Sequence, residues 1–447
     1  MSQRTRIVAQ ILGYSGWTVE RVCWELSDGR RVLATDMVQV FSDARLVLVL
    51  KRRWAARCSN CMAICRTVHE HGKVRRWLDL PWAGHPVVLE YAPNRVKCDH
   101  CGAHATELVA WAESRQRQTK RLQQVLALDA YSMPLSHVAT KYGLSWHTVR
   151  RAESCAIDRW DKTRKAQPLQ MVGVDEKWLG RRHKTPEKYV TIVSNLETGE
   201  PQWIGYGRGE ATLSNWIATL RPEQKAAIRL FACDMHNPFL AAIRAAPELS
   251  HAAIVHDPFH VMKRAGEAIS ELRRQVFFRG GDELRSIGRG TRWLVLRAWR
   301  NTSDEDKARL RTLFTLNAKL ARAYQVVEEL REALKAPDKP SMEIALLHIL
   351  LRTVKRANVP MRKLHESLRR HWNEIVSLGE HHPPTGRTEA LNNNWESLVR
   401  RGRGYRDHQY LLMKLRFLTA NPVRDAHGTK RFLALGMAPP SRCSQAA

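Results

Sequence analysis

Leu169-Gln-Met-Val-Gly-Val-Asp175 is a short apolar run that ends in a carboxylate, and Ile228-Arg-Leu-Phe-Ala-Cys-Asp234 repeats the design further along the chain. Apolar runs of this length read as buried strands, so each delivers an acid to the edge of a sheet. A third acid opens Glu389-Ala-Leu-Asn-Asn-Asn-Trp-Glu396, which reads as the start of a helix. Carboxylate oxygens are hard donors suited to Mg²⁺, and two such ions can clamp the attacking and leaving oxygens of a phosphodiester. Asp175, Asp234 and Glu389 are therefore the candidate catalytic ligands.

The order of elements around these acids sets the fold class. Tyr189-Val-Thr-Ile-Val193 and Gln202-Trp-Ile-Gly-Tyr206 flank Asn195-Leu-Glu-Thr-Gly199, whose Asn and Gly supply turn chemistry. A helix is expected over 211–220, then the strand to Asp234, a helix over 238–246 and a strand at Ala252-Ala-Ile-Val255. Three antiparallel strands followed by alternating helix and strand is the pattern of a ribonuclease-H-like nucleotidyltransferase core. The chain between Asp234 and Glu389 exceeds what one strand and one helix require. Its surplus, about 261–370, carries apolar residues at helical spacing, as in Leu310, Leu313, Phe314 and Leu320. It reads as an all-helical insertion, split into two lobes at Ala336-Pro-Asp-Lys-Pro340. Arg292, Trp293, Arg297, Trp299 and Arg300 either line a DNA channel or place their tryptophans in the core, and the core is expected for the tryptophans.

Two motifs precede this region. Cys58-Ser-Asn-Cys61 and Cys98-Asp-His-Cys101 are paired knuckles that place four thiolates around one structural Zn²⁺. The segment between them, with 87–91 and 95–97, is expected to form a hairpin. Cys65 is a spare thiol, and His100 or His104 could replace one ligand. Residues 113–165 read as helical throughout. Within them Leu135-Ser-His-Val-Ala-Thr-Lys-Tyr-Gly-Leu-Ser-Trp-His-Thr-Val-Arg-Arg151 has small Ala139, turn residue Gly143 and apolar Val149 at helix-turn-helix spacing. Ser145, Trp146, His147, Arg150 and Arg151 then lie on or beside the recognition helix, with Ser145 at its N-cap. Arg115, Arg117, Lys120 and Arg121 are expected to contact phosphates.

The stretch Thr388-Glu-Ala-Leu-Asn-Asn-Asn-Trp-Glu-Ser-Leu-Val-Arg-Arg-Gly-Arg-Gly-Tyr-Arg406 resembles the signature of DDE transposases of bacterial insertion sequences, most closely the ISL-three family. Members carry Glu-Gly-x-Asn-Asn, a basic stretch and Gly-Tyr/Phe-Arg. Glu389, Asn392, Asn393, Arg400, Arg401, Gly404, Tyr405 and Arg406 match, whereas Ala390 stands in the usual Gly position and Glu396 where a basic residue is common. Asp257-Pro-Phe-His260 resembles an Asp-x-x-His signature after the second acid, which makes Asp257 and His260 accessory residues and Asp257 a competing second ligand. The resemblance implies a metal-dependent polynucleotidyl transferase using Mg²⁺ or Mn²⁺, two ions per active site. It implies binding to terminal inverted repeats, strand cleavage, and attack of the freed 3′-hydroxyl on target DNA. Arg400, Arg401 and Arg403 are expected to hold phosphates near the metals. The alternatives are a non-catalytic DNA-binding regulator and a nuclease that does not join.

Composition fits this reading. The 447 residues hold 73 Lys+Arg against 44 Asp+Glu, a formal charge of +29 that favours a polyanion partner, here double-stranded DNA. The absence of any long apolar run, and a start lacking a signal-peptide core, exclude a membrane partner and point to a cytoplasmic, nucleoid-associated protein. The nine cysteines then read as metal ligands and free thiols rather than disulfides. A multidomain α/β chain is expected: a strand-rich segment (1–50), a zinc-binding domain (51–112) and a helix-turn-helix domain (113–165). The core follows in two parts (166–260 and 381–420) around the insertion (261–380), then a poorly ordered tail (421–447). A homodimer or larger homo-oligomer on DNA is expected.

Overall fold

The computed structural model describes residues 12–34, 43–165, 167–179, 187–279, 281–354, 358–402 and 405–437. The chain divides into two units, Met1–Lys165 with Asn421–Ala447, and Ala166–Ala420.

The first unit opens with β1 (Trp17–Glu25), β2 (Arg31–Leu33), β3 (Arg45–Arg52), β4 (Ala56–Arg57), β5 (Ile64–Cys65), β6 (Val68–Glu70), β7 (Arg75–Trp82), β8 (His85–Tyr91), β9 (Arg95–Lys97) and β10 (His104–Thr106). Ser27-Asp-Gly-Arg30 turns the chain between β1 and β2, and residues 35–42 lie outside the described residues. One sheet runs β2-β1-β3-β8-β7 and another β10-β9-β6. The hairpin expected between 87–91 and 95–97 is therefore not formed. β8 pairs with β7 and β3, whereas β9 pairs with β10 and β6. The boundary expected at residue 50 falls inside β3, because the chain between the two knuckles returns to the N-terminal sheet.

Three helices follow: α1 (Lys120–Ser132), α2 (Leu135–Tyr142) and α3 (Trp146–Asp161). Residues 113–119 are not helical, and Gln118 bridges to Leu78 of β7 instead. Nor do Lys120 and Arg121 face outward. Lys120 Nζ donates to the Ala110 carbonyl at 2.8 Å, and the Arg121 guanidinium pairs with Asp79, which also accepts from Thr119 Oγ1 at 2.7 Å. These cations are spent on neutralising and satisfying buried polar groups, which would be costly to leave unpaired.

The second unit is built on a sheet of order β13-β12-β11-β14-β15. Its first part contains β11 (Met171–Trp178), β12 (Tyr189–Asn195), β13 (Pro201–Tyr206), α4 (Glu210–Ala218), α5 (Pro222–Ala227), β14 (Leu230–Cys233), α6 (Asn237–Arg244), β15 (Ala253–His256) and α7 (Pro258–Phe278). β12 is antiparallel to β11 and β13, while β14 and β15 run parallel to β11. Strand alternation divides the sheet. Val172, Val174, Phe231 and Cys233 join the core that holds Leu213, Trp216, Phe239 and Ile243 of α4 and α6. Asp175 therefore faces the opposite side.

The insertion is helical, as expected: α8 (Asp282–Gly288), α9 (Arg292–Leu296), α10 (Asp304–Leu316), α11 (Ala318–Ala333), α12 (Lys339–Val354), α13 (Val359–Arg370), α14 (Trp372–Val376) and α15 (Leu378–His381). It is one body, not two lobes. Leu330 and Ala333 of α11 share a core with Met342, Leu346 and Ile349 of α12 across the 336–340 break. The core reading of the tryptophans fails for Trp293, which is 67% exposed with Arg292 over its ring, because α9 buries Leu294 and Val295 instead. Trp299 is half-buried against the core.

The unit closes with α16 (Gly386–Gly402) and α17 (His408–Ala420), whose Leu391, Trp395, Leu398, Leu411 and Leu415 cover Val190, Ile192 and Ile204 of the sheet. The tail expected to be poorly ordered contains α18 (Ala426–Ala434), which packs on α1 of the first unit with Phe432 buried and Gln124 Nε2 donating to its carbonyl at 2.7 Å. Residues 438–447 lie outside the described residues.

Candidate functional site

The parallel register aligns Val174 of β11 with Cys233 of β14, so the next residues, Asp175 and Asp234, emerge side by side. Both lie on the face away from the α4 and α6 core. Asp175, Asp234, Asp257, His260, Thr385 and Thr388 line one small cavity.

Each carboxylate is held in place. Asp175 is 5% exposed; its Oδ1 accepts from the backbone N–H of Glu176 at 2.8 Å, and its Oδ2 accepts from Asn392 Nδ2 at 2.9 Å and lies 3.3 Å from Lys177 Nζ. Asp234 Oδ1 accepts from the Met235 N–H at 2.6 Å. His260 sits between the two acids, with Nε2 4.0 Å from Asp175 and 3.9 Å from Asp234, and Nδ1 3.5 Å from Asp257. Burial works against a charged imidazole here, but the contact with Asp257 and the charges of Asp234, Asp175 and Asp257 outweigh it, so its pKa is raised above the usual histidine value. Asp257 is spent as the N-cap of α7, accepting from the Phe259 N–H at 2.9 Å.

Glu389 lies in the first turn of α16 with its side chain exposed. Thr388 precedes it at the cavity and Asn392, one turn on, bonds to Asp175, so the helix is docked against the acids at the turn that carries Glu389. Arg400 and Arg401 are in the last turn of α16. At a rise of 1.5 Å per residue, Arg400 lies roughly 18 Å along the axis from Thr388. Along that axis they stand about three turns from the end of α16 that meets the acids. Arg403 lies outside the described residues.

Lys177 and Asn392, the two side chains that contact Asp175 Oδ2, were not assigned from sequence. Lys177 carries a signal in its i+2 spacing, which puts it on the face of Asp175; Asn392 carries one in its i+3 spacing from Glu389. Neither spacing shows which carboxylate the residue meets.

Chemistry of the donor set fits a divalent cation at the acids: buried Asp175 and half-buried Asp234, both pre-oriented, converge with hydroxyls nearby, all hard oxygen donors. At the knuckles the fit is to Zn²⁺. Cys58, Cys61, Cys98 and Cys101 bring their sulfurs within 4.8 Å of one another, with Cys58–Cys101 at 3.8 Å and Cys61–Cys98 at 3.5 Å. Matching turns present them, Met62 N–H donating to the Cys58 carbonyl and Gly102 N–H to that of Cys98. The Cys98 thiol is drawn down to about 6 by the Cys101 backbone N–H, with the neighbouring thiols adding. Cys65 turns to the Ala63 carbonyl and is pushed up to about 11 by burial. His104 meets His69 edge to face, and neither His100 nor His104 belongs to the cluster.

In the helix-turn-helix, Val138, Ala139 and Val149 are buried, and Gly143 turns the chain at φ 61°, the left-handed region that costs glycine least. Ser145 Oγ accepts from the Thr148 N–H at 3.1 Å, an N-cap worth about 1 kcal/mol to the helix. Trp146, His147 and Arg151 are exposed, and Arg150 lies over the Trp146 ring. No helix among the described residues is long and apolar enough to cross a membrane.

Comparison with known proteins matches most of the chain. A family profile described as "Transposase" matches residues 172–415, one described as "Helix-turn-helix domain of transposase family ISL3" matches 107–153, and one described as "zinc-finger of transposase IS204/IS1001/IS1096/IS1165" matches 54–101. The chain is 28% identical over 414 residues to the transposase for insertion sequence element IS1001 of Bordetella parapertussis, covering 92% of this chain and 97% of that protein. It is 24% identical over 406 residues to the transposase for insertion sequence element IS1557 of Mycobacterium tuberculosis, covering 83% and 87%.

Proposed function

Because this chain belongs to the ISL3 family of DDE transposases, a DNA-cleaving and DNA-transferring enzyme with a zinc ribbon and a helix-turn-helix, we propose that Asp175, Asp234 and Glu389 are its catalytic triad. The sheet that carries the two aspartates then corresponds to a ribonuclease-H-like core, a reading supported by its strand order and directions. The triad would hold Mg²⁺ or Mn²⁺, two ions per site, which when bound supply activation of the nucleophile and neutralisation of charge at the phosphodiester. Asn392 and the backbone N–H of Glu176 orient Asp175, leaving its carboxylate fixed before DNA arrives. Lys177 balances charge beside it. His260, flanked by three carboxylates, restrains both strand-end acids, and Asp257 serves this restraint and the cap of α7.

Recognition falls to the first unit, with Ser145, Trp146, His147, Arg150 and Arg151 meeting the terminal inverted repeats and the Cys58, Cys61, Cys98 and Cys101 zinc bracing the sheet beside them. Arg400 and Arg401 grip the backbone roughly five base pairs from the cut, since about 18 Å of helix matches that length of duplex at 3.4 Å per base pair. Arg403 extends the same basic run. Two element ends must be cut together, which calls for at least two copies of the chain, working on DNA in the cytoplasm.

The observation that carries the proposal is the convergence of Asp175 and Asp234 where the parallel pairing of β11 with β14 ends, bracketing His260 and bonded through Asn392 to the helix of Glu389. Single substitutions of Asp175, Asp234 or Glu389 by Asn or Gln are expected to abolish cleavage of end-containing duplexes and joining of pre-cleaved ends, while end binding survives. Asp257→Asn should retain measurable cleavage. Normal cleavage by all three triad variants would overturn the assignment and favour a regulator, and cleavage by Asp234→Asn with a dead Asp257→Asn would move the second ligand.

A further inference from the structure

We propose that His256, His371 and Glu374 form a second metal site, distinct from the cysteine cluster and from the acid cavity, that takes a divalent transition ion of the Zn²⁺ class. His256 ends β15, His371 immediately precedes α14, and Glu374 lies within it one turn later. One donor atom from each lies within 4.8 Å of the others, and the three residues are between 0% and 5% exposed.

Three features point to coordination. His256 Nε2 and His371 Nδ1 are 3.1 Å apart. Two nitrogens bound to one tetrahedral zinc at about 2.0–2.1 Å are separated by about 3.3 Å, so the rings need almost no movement to share an ion. His256 Nδ1 lies 3.2 Å from the Cys233 carbonyl, which can only accept. Nδ1 therefore carries the proton, and the Nε2 lone pair is aimed at His371 and Glu374. A backbone carbonyl holding the non-ligating nitrogen in this way is the usual support of a metal-bound imidazole. Finally, the Arg244 guanidinium grips Glu374, fixing the carboxylate's orientation and balancing part of its charge. Two imidazoles and one carboxylate suit Zn²⁺ or a similar transition ion better than Mg²⁺, which prefers an all-oxygen shell.

An ion here would cross-link residues 115 apart in the sequence, across most of the helical insertion. It would pin the edge strand that leads into Asp257 and His260 to the helix that precedes α15 and α16. The site shares no residue with the proposed triad, so its test is independent of the catalytic assignment.

The test uses the full chain carrying Asp234→Asn, purified without chelator, loaded with zinc and dialysed against excess Mg²⁺. Two zinc per chain are expected by elemental analysis, falling to one with His371→Ala or with Glu374→Gln. One zinc in the chain with His371 and Glu374 intact overturns the proposal and leaves a hydrogen-bonded histidine pair. Should the His371 and Glu374 variants fail to fold, Co²⁺ added to the chain with zinc already in its cysteine site decides. An intense visible d–d band without a thiolate charge-transfer band supports the site, and absence of that band overturns it.

Discussion

Replacing Asn392 by Ala removes the side-chain donor that reaches Asp175 Oδ2 at 2.9 Å from the helix carrying Glu389. A hydrogen bond to a charged group is worth about 1.5–3 kcal/mol. If all of it serves to hold Asp175 and α16 in register, cleavage slows by about 10- to 150-fold, at about 1.4 kcal/mol per tenfold. The low end of that range is expected, because Lys177 Nζ at 3.3 Å and the Glu176 N–H at 2.8 Å still restrain the carboxylate. Removing Lys177 as well should therefore cost more than the sum of the two single losses, since each substitution alone leaves the other partner in place. The assay is single-turnover cleavage of a labelled duplex bearing the element's end, with binding to the same duplex measured in parallel. Cleavage should fall while binding holds. Wild-type cleavage by Asn392→Ala, with the double variant no worse than Lys177→Ala, would refute the idea that this contact positions the site.

Phe432→Ala should destabilise the first unit by about 3 kcal/mol, the low end for a buried Phe lost, read by denaturant unfolding; a change under about 0.5 kcal/mol would mean that α18 contributes nothing to that unit. Cys98→Ser should lose the ribbon zinc and unfold the N-terminal sheets, because metal binding and folding are coupled there. A thiol must lose its proton to bind the metal, so zinc affinity at the ribbon falls as pH falls. Zinc-loaded protein should thus keep its ion at pH 7 and release it progressively on acidification, followed by a colorimetric zinc titration. Arg150→Ala should weaken binding to the terminal repeat by about 1–3 kcal/mol at one position if it reads a guanine. If it meets a phosphate, all sequences weaken alike and the salt slope flattens by about one unit; unchanged affinity and specificity would make the motif structural.

Features that depend on neighbours in the chain were legible without coordinates. The apolar runs before Asp175 and Asp234 had to be strands because their length and composition suit nothing else. Gly143 had to turn the chain between α2 and α3, and the two C-x-x-C knuckles declared their metal by spacing alone. Tertiary structure decided whatever depends on which surfaces meet. β8 and β9 are consecutive, yet pairing with β3 and β6 sends them to different sheets. Lys120 and Arg121 look like phosphate ligands until Ala110 and Asp79 claim them. Trp293 has the spacing of a core residue, but α9 shows the core its Leu294 and Val295 face, and residues 426–434 find their partner in α1, some three hundred positions earlier. The same holds for the Asn392 contact with Asp175 and for the meeting of His256 with His371. Periodicity fixes which side of an element a residue occupies, whereas the partner on that side is set by long-range packing, whose energy is shared over many contacts and leaves no local mark.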